Sequence, residues 1–358
     1  MFHSELVPVN RRAPWKPVTG ALLGVTLISA WVLPNRVQSS AGGGSVPKGA
    51  MIVSETANPS PGYSFAGVLR DAAWTKMPPM PTPRYGHGAA WLQGALYAIG
   101  GYSFVSNTPV GTVESLDLST DTWSVKSSMS ASREYCAVAA VNGKLYAIGG
   151  KSAAGAIIDV VEEYDPATNA WTTKTPLPAP RAYAGASVVN GQIYVVGGYD
   201  VAYNVLTKLE AYDPVNDSWT ILPLMPTARA LLACASLNGV VYAIGGYLSS
   251  GRTSVVEAYD VNAGSWSSRA SLPSARGESA AVALGGRIVV MGGSPAAASV
   301  LEYDPALDAW TMAAGLSEPM AGGHAAVTAA DRIFALGGDS VGTVQHSPGP
   351  ILYLHRRN

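Results

Sequence analysis

Two histidines mark the place where metal chemistry would begin. His87 and His324 each stand thirteen residues before a Gly-Gly pair, one early and one late in the chain. A pair of imidazoles at matched positions is the smallest nitrogen set from which a zinc or copper site is built. Cys136 and Cys234 do not extend it, since they form neither a metal-spaced pair nor a disulfide framework. Glu134, Lys151 and Glu278 are the charged side chains on which acid–base work would draw, but no spacing fixes their separation. With no nucleophile motif and no clustered acid–base set, the residues read as those of a binding protein more than of an enzyme, and they call for no cofactor and no metal.

The elements that must position these residues follow from composition and repetition. The chain has 358 residues, of which 48% are hydrophobic, enough to bury a sizeable core. Its 39 Gly, 25 Pro, 9 Trp and 17 Tyr favour many short strands separated by turns. With 23 basic against 24 acidic residues and no long run of either sign, it lacks the footprint of a nucleic-acid binder.

A Gly-Gly pair closes an apolar stretch at 100–101, 149–150, 197–198, 245–246, 292–293 and 337–338. Arg84, Arg133, Arg181, Arg229 and Arg276 lie sixteen residues before the first glycine of their pairs. Asp117, Asp165, Asp213, Asp260 and Asp304 each lie six residues before a tryptophan. One supersecondary unit is therefore copied six times. Asn142-Gly143, Asn190-Gly191 and Asn238-Gly239 supply the positive φ angles of a type I′ hairpin between the first two strands of a unit, and Gln93-Gly94 and Gly285-Gly286 do the same elsewhere. The Asp-Pro segments at 165–166 and 213–214 are turn-formers between the third and fourth strands. An arginine recurring once per unit reads as a brace between neighbouring units, and the tryptophans as packing between them.

Paired glycines, a Tyr-Asp-Pro such as Tyr164-Asp165-Pro166 and the later tryptophan resemble the kelch repeat over residues 70 to 358. The resemblance implies an all-β, six-bladed kelch-type β-propeller with four antiparallel strands per blade. Trp74 stands ten residues before Arg84, the interval that also separates Trp123 from Arg133, so it marks an orphan fourth strand. That N-terminal strand is expected to complete the last blade and close the ring, whose third strand would be Ile351-Leu352-Tyr353-Leu354. Blade six departs from the others, with Ala321 where the repeat arginine should be.

The resemblance also implies a binding face formed by the residue after each Gly-Gly and the residue two after each repeat arginine. The first set is Tyr102, Lys151, Tyr199, Tyr247, Ser294 and Asp339, and the second is Gly86, Tyr135, Tyr183, Leu231, Glu278 and Gly323. The ligand-binding candidates among them are Tyr102, Tyr135, Lys151, Tyr183, Tyr199, Tyr247, Glu278 and Asp339. Some kelch-fold oxidases hold copper with two Tyr, two His and a Cys–Tyr crosslink, a motif this chain does not show.

Arg11, Arg12 and Lys16 precede an apolar stretch through Leu33, and small residues follow at Ser39-Ser40-Ala41. This is the pattern of a secretory signal peptide, or, with Arg36 behind the apolar stretch, of an uncleaved anchor. The expected organisation is a signal peptide or N-terminal anchor over 1–41, a flexible linker over 42–69 and the propeller over 70–358. The resulting expectation is an exported module, periplasmic, cell-surface or secreted, that binds a protein or glycan. The alternative that the resemblance offers is a sugar-processing enzyme of the sialic acid mutarotase kind.

Overall fold

In each repeat the apolar run before Gly-Gly becomes a strand buried on both faces, as a stretch with no polar alternation must be. Leu145–Ile148 and Ile193–Val196 are two of these four-residue buried runs. The computed structural model describes residues 74–346 apart from 296–297, 321, 330 and 339–343. They belong to a compact unit, Pro61–Asn358. The leader, the linker and Asp339 lie outside the described residues.

Among the described residues the chain forms six four-stranded antiparallel sheets, and in five of them each strand pairs with the next of its sheet along the chain. The second is Ala137–Val141, Lys144–Ile148, Val161–Asp165 and Ala170–Lys174, and the other full repeats match it. Asn142, Asn190 and Asn238 have φ of 51°, 49° and 52° and the glycines after them 76°, 77° and 78°, the two positive values that a type I′ turn demands. Asp165 and Asp213 accept the amide two residues on, Ala167 N at 2.8 Å and Val215 N at 2.9 Å, so these carboxylates shape turns.

The sixth sheet holds Ala325–Ala329, Arg332–Leu336, Val344–His346 and, from the other end of the chain, Thr75–Met77. Thr75–Met77 pairs with Val344–His346 in antiparallel register. The orphan strand beside Trp74 is thus where its spacing placed it. The third strand is not: Val344–His346 occupies that position, and Ile351–Leu354 lies outside the described residues. The shift has a simple cause, since Val-Gln-His lacks the apolar pattern of the other third strands yet buries both Val344 and Gln345.

Hydrophobic burial lies between sheets. Ala137, Tyr146 and Val161 of the second sheet pack with Ile193, Val195 and Tyr212 of the third. Leu96 and Leu116 of the first pack with Phe334, Leu336 and Val344 of the sixth. The six tryptophans at the fourth-strand position, Trp74, Trp123, Trp171, Trp219, Trp266 and Trp310, also donate their indole N–H to a backbone carbonyl at the preceding sheet's outer end. Trp171 reaches Ser127 O at 2.8 Å, Trp219 reaches Thr175 O at 3.0 Å and Trp123 reaches Pro78 O at 2.9 Å. Trp74 does the same to Ala314 O at 3.3 Å.

The arginines differ from expectation in one respect. Their side chains brace their own repeat, and their backbone makes the link to the neighbour. Arg133 Nη1 donates to Gly149 O at 3.1 Å and Val160 O at 2.7 Å, while Nη2 meets Glu162 at 2.5 Å. Arg84 with Glu114 and Arg229 with Glu257 repeat this pattern, and Arg181 is ion-paired with Glu210. The carbonyl of Arg133 meanwhile accepts Gly101 N of the preceding repeat at 2.8 Å, and Arg84 O accepts Gly338 N at 3.0 Å.

Candidate functional site

The residue two after each repeat arginine adopts a left-handed backbone conformation. The φ values are 61° at Gly86, 50° at Tyr135, 60° at Tyr183, 52° at Leu231, 59° at Glu278 and 64° at Gly323. Such angles are unusual for a bulky residue. Here they turn each backbone toward the next sheet, and the six residues bond in file: Gly86 N to Gly323 O at 2.6 Å, Tyr135 N to Gly86 O at 2.6 Å, Tyr183 N to Tyr135 O at 3.0 Å, Leu231 N to Tyr183 O at 2.9 Å and Glu278 N to Leu231 O at 2.9 Å. Their side chains, with the residue after each, line a cavity of about 140 Å³.

The residue after Gly-Gly is held beside this file by pairing with the residue after the repeat arginine. Tyr102 faces Tyr85, Lys151 faces Glu134, Tyr199 faces Ala182, Tyr247 faces Ala230 and Ser294 faces Gly277. The two sequence positions therefore do share one face. On it the rings form a continuous series with centroid separations of 5.1 Å for Tyr102–Tyr85, 6.1 Å for Tyr85–Tyr135, 4.2 Å for Tyr135–Tyr183 and 5.5 Å for Tyr183–Tyr199. Phe104, 5.3 Å from Tyr85, and Tyr203, 6.0 Å from Tyr199, extend it at the two ends. Tyr85, Phe104 and Tyr203 escaped the sequence reading; Tyr85 follows a repeat arginine directly, a register position not followed there, and the other two sit in loops of variable length.

Tyr247 stands apart, its ring filling the space over Gly277 that a Cβ would invade at 2.3 Å. Tyr102 donates its hydroxyl to Asn107 O at 2.8 Å. Lys151 lies 3.6 Å from Glu134, an ion pair outside the cavity lining, so of the three charged candidates only Glu278 lines the cavity. Burial raises the pKa of Glu278, against the opposing pull of Arg252. Burial also raises Glu134, with Lys151 opposing, and it raises Tyr135 and Tyr183, with nearby glutamates reinforcing the shift.

His87 and His324 do meet here, both in the lining of the cavity. Burial, then the charge of Arg84, then His324 itself lower His87 to about 3. Burial lowers His324 to about 4, opposed by its bond to the Met291 carbonyl. Both imidazoles are neutral at physiological pH. Among the described residues no group of three His, Cys, Asp or Glu side chains converges to hold a metal. Cys136 and Cys234 are free thiols.

The family model of the Attractin/LZTR1 beta-propeller matches residues 63–294, more than half of the chain. The chain belongs to the kelch-type β-propeller family. Kelch-like protein 9 of Mus musculus is 37% identical to it over 94 residues, 25% of this chain and 15% of that protein. Kelch-like protein 33 of Homo sapiens is 38% identical over 89 residues, 24% of this chain and 16% of that protein. This kelch chain thus spans less than a fifth of the length of these relatives. The solved structure of YjhT superposes with a TM-score of 0.65 at 18% identity, covering 75% of this chain and 95% of that one, a likeness of fold.

Proposed function

We propose that the six sheets are the blades of a closed six-bladed propeller, exported from the cell, which binds a protein or glycan through the face bearing Tyr85, Tyr135, Tyr183 and Tyr199. Closure is supported by the bonds that join first and last repeats, Gly338 N to Arg84 O and Gly86 N to Gly323 O, because they repeat those made between consecutive sheets from the first to the fifth. Export is supported by the charged and then apolar leader before Ala41. N-terminal sequencing of the mature protein is expected to find a start shortly after Ala41, and protein beginning at Met1 would count against export.

The observation that carries the binding reading is the unbroken series of tyrosine rings, two of which, Tyr135 and Tyr183, line a cavity from backbone at φ of 50° and 60°. Rings with a hydroxyl present an apolar face and a polar tip, the combination enriched where proteins recognise partners. Such strained positions cluster where a side chain has a task beyond stability. The test begins with a glycan array and a pull-down from the native secretome. With the ligand in hand, alanine at Tyr102, Tyr135, Tyr183, Tyr199 and Tyr247 is expected to lower affinity tenfold or more at two positions at least, Tyr135 and Tyr183 foremost. The thermal midpoint should stay close to that of the parent. Normal binding by all five variants would place the functional face elsewhere.

A further inference from the structure

At the seams between sheets, the first glycine of each Gly-Gly is pressed against a side chain from the segment leading into an adjoining sheet. A Cβ added at Gly100, Gly149, Gly197 or Gly245 would stand 2.9 Å from Met129, 3.1 Å from Leu177, 2.8 Å from Leu232 or 3.1 Å from Leu272. None of these side chains can take up a charge. The two seams that bound the sixth sheet differ, since a Cβ at Gly292 would stand 2.6 Å from His324 Cε1 and one at Gly337 would stand 2.4 Å from His87 Cε1. Both rings are buried. They follow the left-handed residues Gly323 and Gly86 directly, a position that Cys136, Ala184, Leu232 and Ser279 fill elsewhere.

Neither ring can carry a second proton comfortably where it sits. The groups that act on His87 are Arg84, itself paired with Glu114, and His324, and both oppose a positive charge there. Around His324 stand Met291, Gly292 and Met320, all uncharged; the Met291 carbonyl, 3.1 Å from Nε2, favours the proton but does not offset burial. No carboxylate is among the groups acting on either ring. The sheet between these seams is also the most lightly held. Its strands Thr75–Met77 and Val344–His346 have three residues where their counterparts in the other sheets have five. Gln345 stands where the first four sheets bury the glutamate of an ion pair.

We propose that His87 and His324 form an acid-sensitive latch: protonation of the two rings parts the sixth sheet from the fifth and the first while the other seams hold. The cavity is unmade with it, because Gly86, His87, Gly323 and His324 of its lining stand at these two seams. Acid opening would act whatever the tyrosine face binds. Its direction follows from the folded values, about 3 for His87 and about 4 for His324, both below the ordinary 6.5. A ring that must stay neutral in the closed state and is free to charge in the open one contributes fully above its ordinary pKa, and that contribution is lost as the pH falls toward the folded values. Between pH 7 and pH 5 the pair should raise the open population by on the order of several hundredfold.

The test is hydrogen exchange of the full chain at a series of pH values, read peptide by peptide and corrected for the intrinsic rate at each pH. Thr75–Met77, Ala325–Ala329 and Arg332–Leu336 of the sixth sheet are expected to lose protection at least one pH unit above Gly185–Val189 and Gln192–Val196 of the third. His87→Leu combined with His324→Leu, leucine being what fills the seam at Gly197, should close that gap. Loss of protection in both sheets at one pH, or a gap that persists in the double variant, would overturn the proposal. Should the double variant not fold, the parent decides the matter by an NMR titration of its imidazole signals alongside the exchange order. Both rings should stay neutral down to pH 5.5 in the closed protein, and either ring titrating near its ordinary value would overturn the latch.

Discussion

Replacing Glu162 by alanine is expected to destabilise the protein by about 3–5 kcal/mol, the cost of leaving a buried charge without its counter-ion. Arg133 is fully buried, and Glu162 accepts from it at 2.5 Å and from Ser130 N at 2.8 Å. The substitution therefore strands a guanidinium and frees the loop before the first strand of its sheet. Urea denaturation would read the change as a fall in midpoint. Alanine at Lys144, whose bridge to Asp165 is of similar length at 2.6 Å but partly exposed, should cost under about 1 kcal/mol. Comparable losses at the two sites would mean that burial does not set the value of these pairs. The fourfold pattern also has natural departures. Leu301 fills the glutamate position of the fifth sheet, and there Arg276 donates to Ser299 Oγ at 2.7 Å. In the sixth sheet Gln345 is buried and accepts from Ser317 N at 3.0 Å while donating to Glu318 O at 3.0 Å, a neutral amide taking over the loop-holding half of the role.

Truncation should produce a still larger effect. A chain lacking residues 1 to 69 keeps every described residue and is expected to fold with an unchanged thermal midpoint. A chain lacking 1 to 80 loses Trp74, the strand Thr75–Met77 and Met80, whose side chain is 2% exposed among Leu96, Leu116 and Leu336. Removing a buried tryptophan and a buried methionine costs roughly 5–10 kcal/mol together, which is comparable with the whole stability of an ordinary domain. The loss would also bare Val344–His346 as an unpaired edge and leave Trp123 without its acceptor at Pro78. Loss of the cooperative transition is the expected result. Equal midpoints for the two truncations would show the strand dispensable and remove the ground for a closed ring.

Much of this was legible before any coordinate. Gly-Gly pairs and Asn-Gly turns leave the backbone so little choice that hairpins and strand order follow from them directly. Trp74 was readable because a side chain that must dock on the previous sheet keeps its interval from the next arginine. Glu162 and its counterparts were not, although Glu114, Glu162, Glu210 and Glu257 each stand three residues before the strand's aspartate. A glutamate among alternating residues looks like a solvent-facing one until the arginine that buries it is in place. The tyrosine candidates were found by register, whereas Tyr85, Phe104 and Tyr203 depend on where loops fold back. The two histidines were rightly paired in space, since matched positions in the first and last repeats bring both to the cavity lining.

The left-handed file at the cavity has a consequence for how such a protein can change. The bonds from Gly323 through Gly86 to Glu278 are all made by main-chain atoms, and Gly86 and Gly323 show that the positions need no side chain to make them. A Cβ in this conformation costs roughly 1–2 kcal/mol, so Tyr135, Tyr183, Leu231 and Glu278 are each less favourable to the scaffold than glycine would be. The positions behave as sockets: the bonds between sheets do not depend on what is plugged into them. A chain with glycine at all six would be sturdier, and one with other residues at the same four would present a different surface on an unaltered frame.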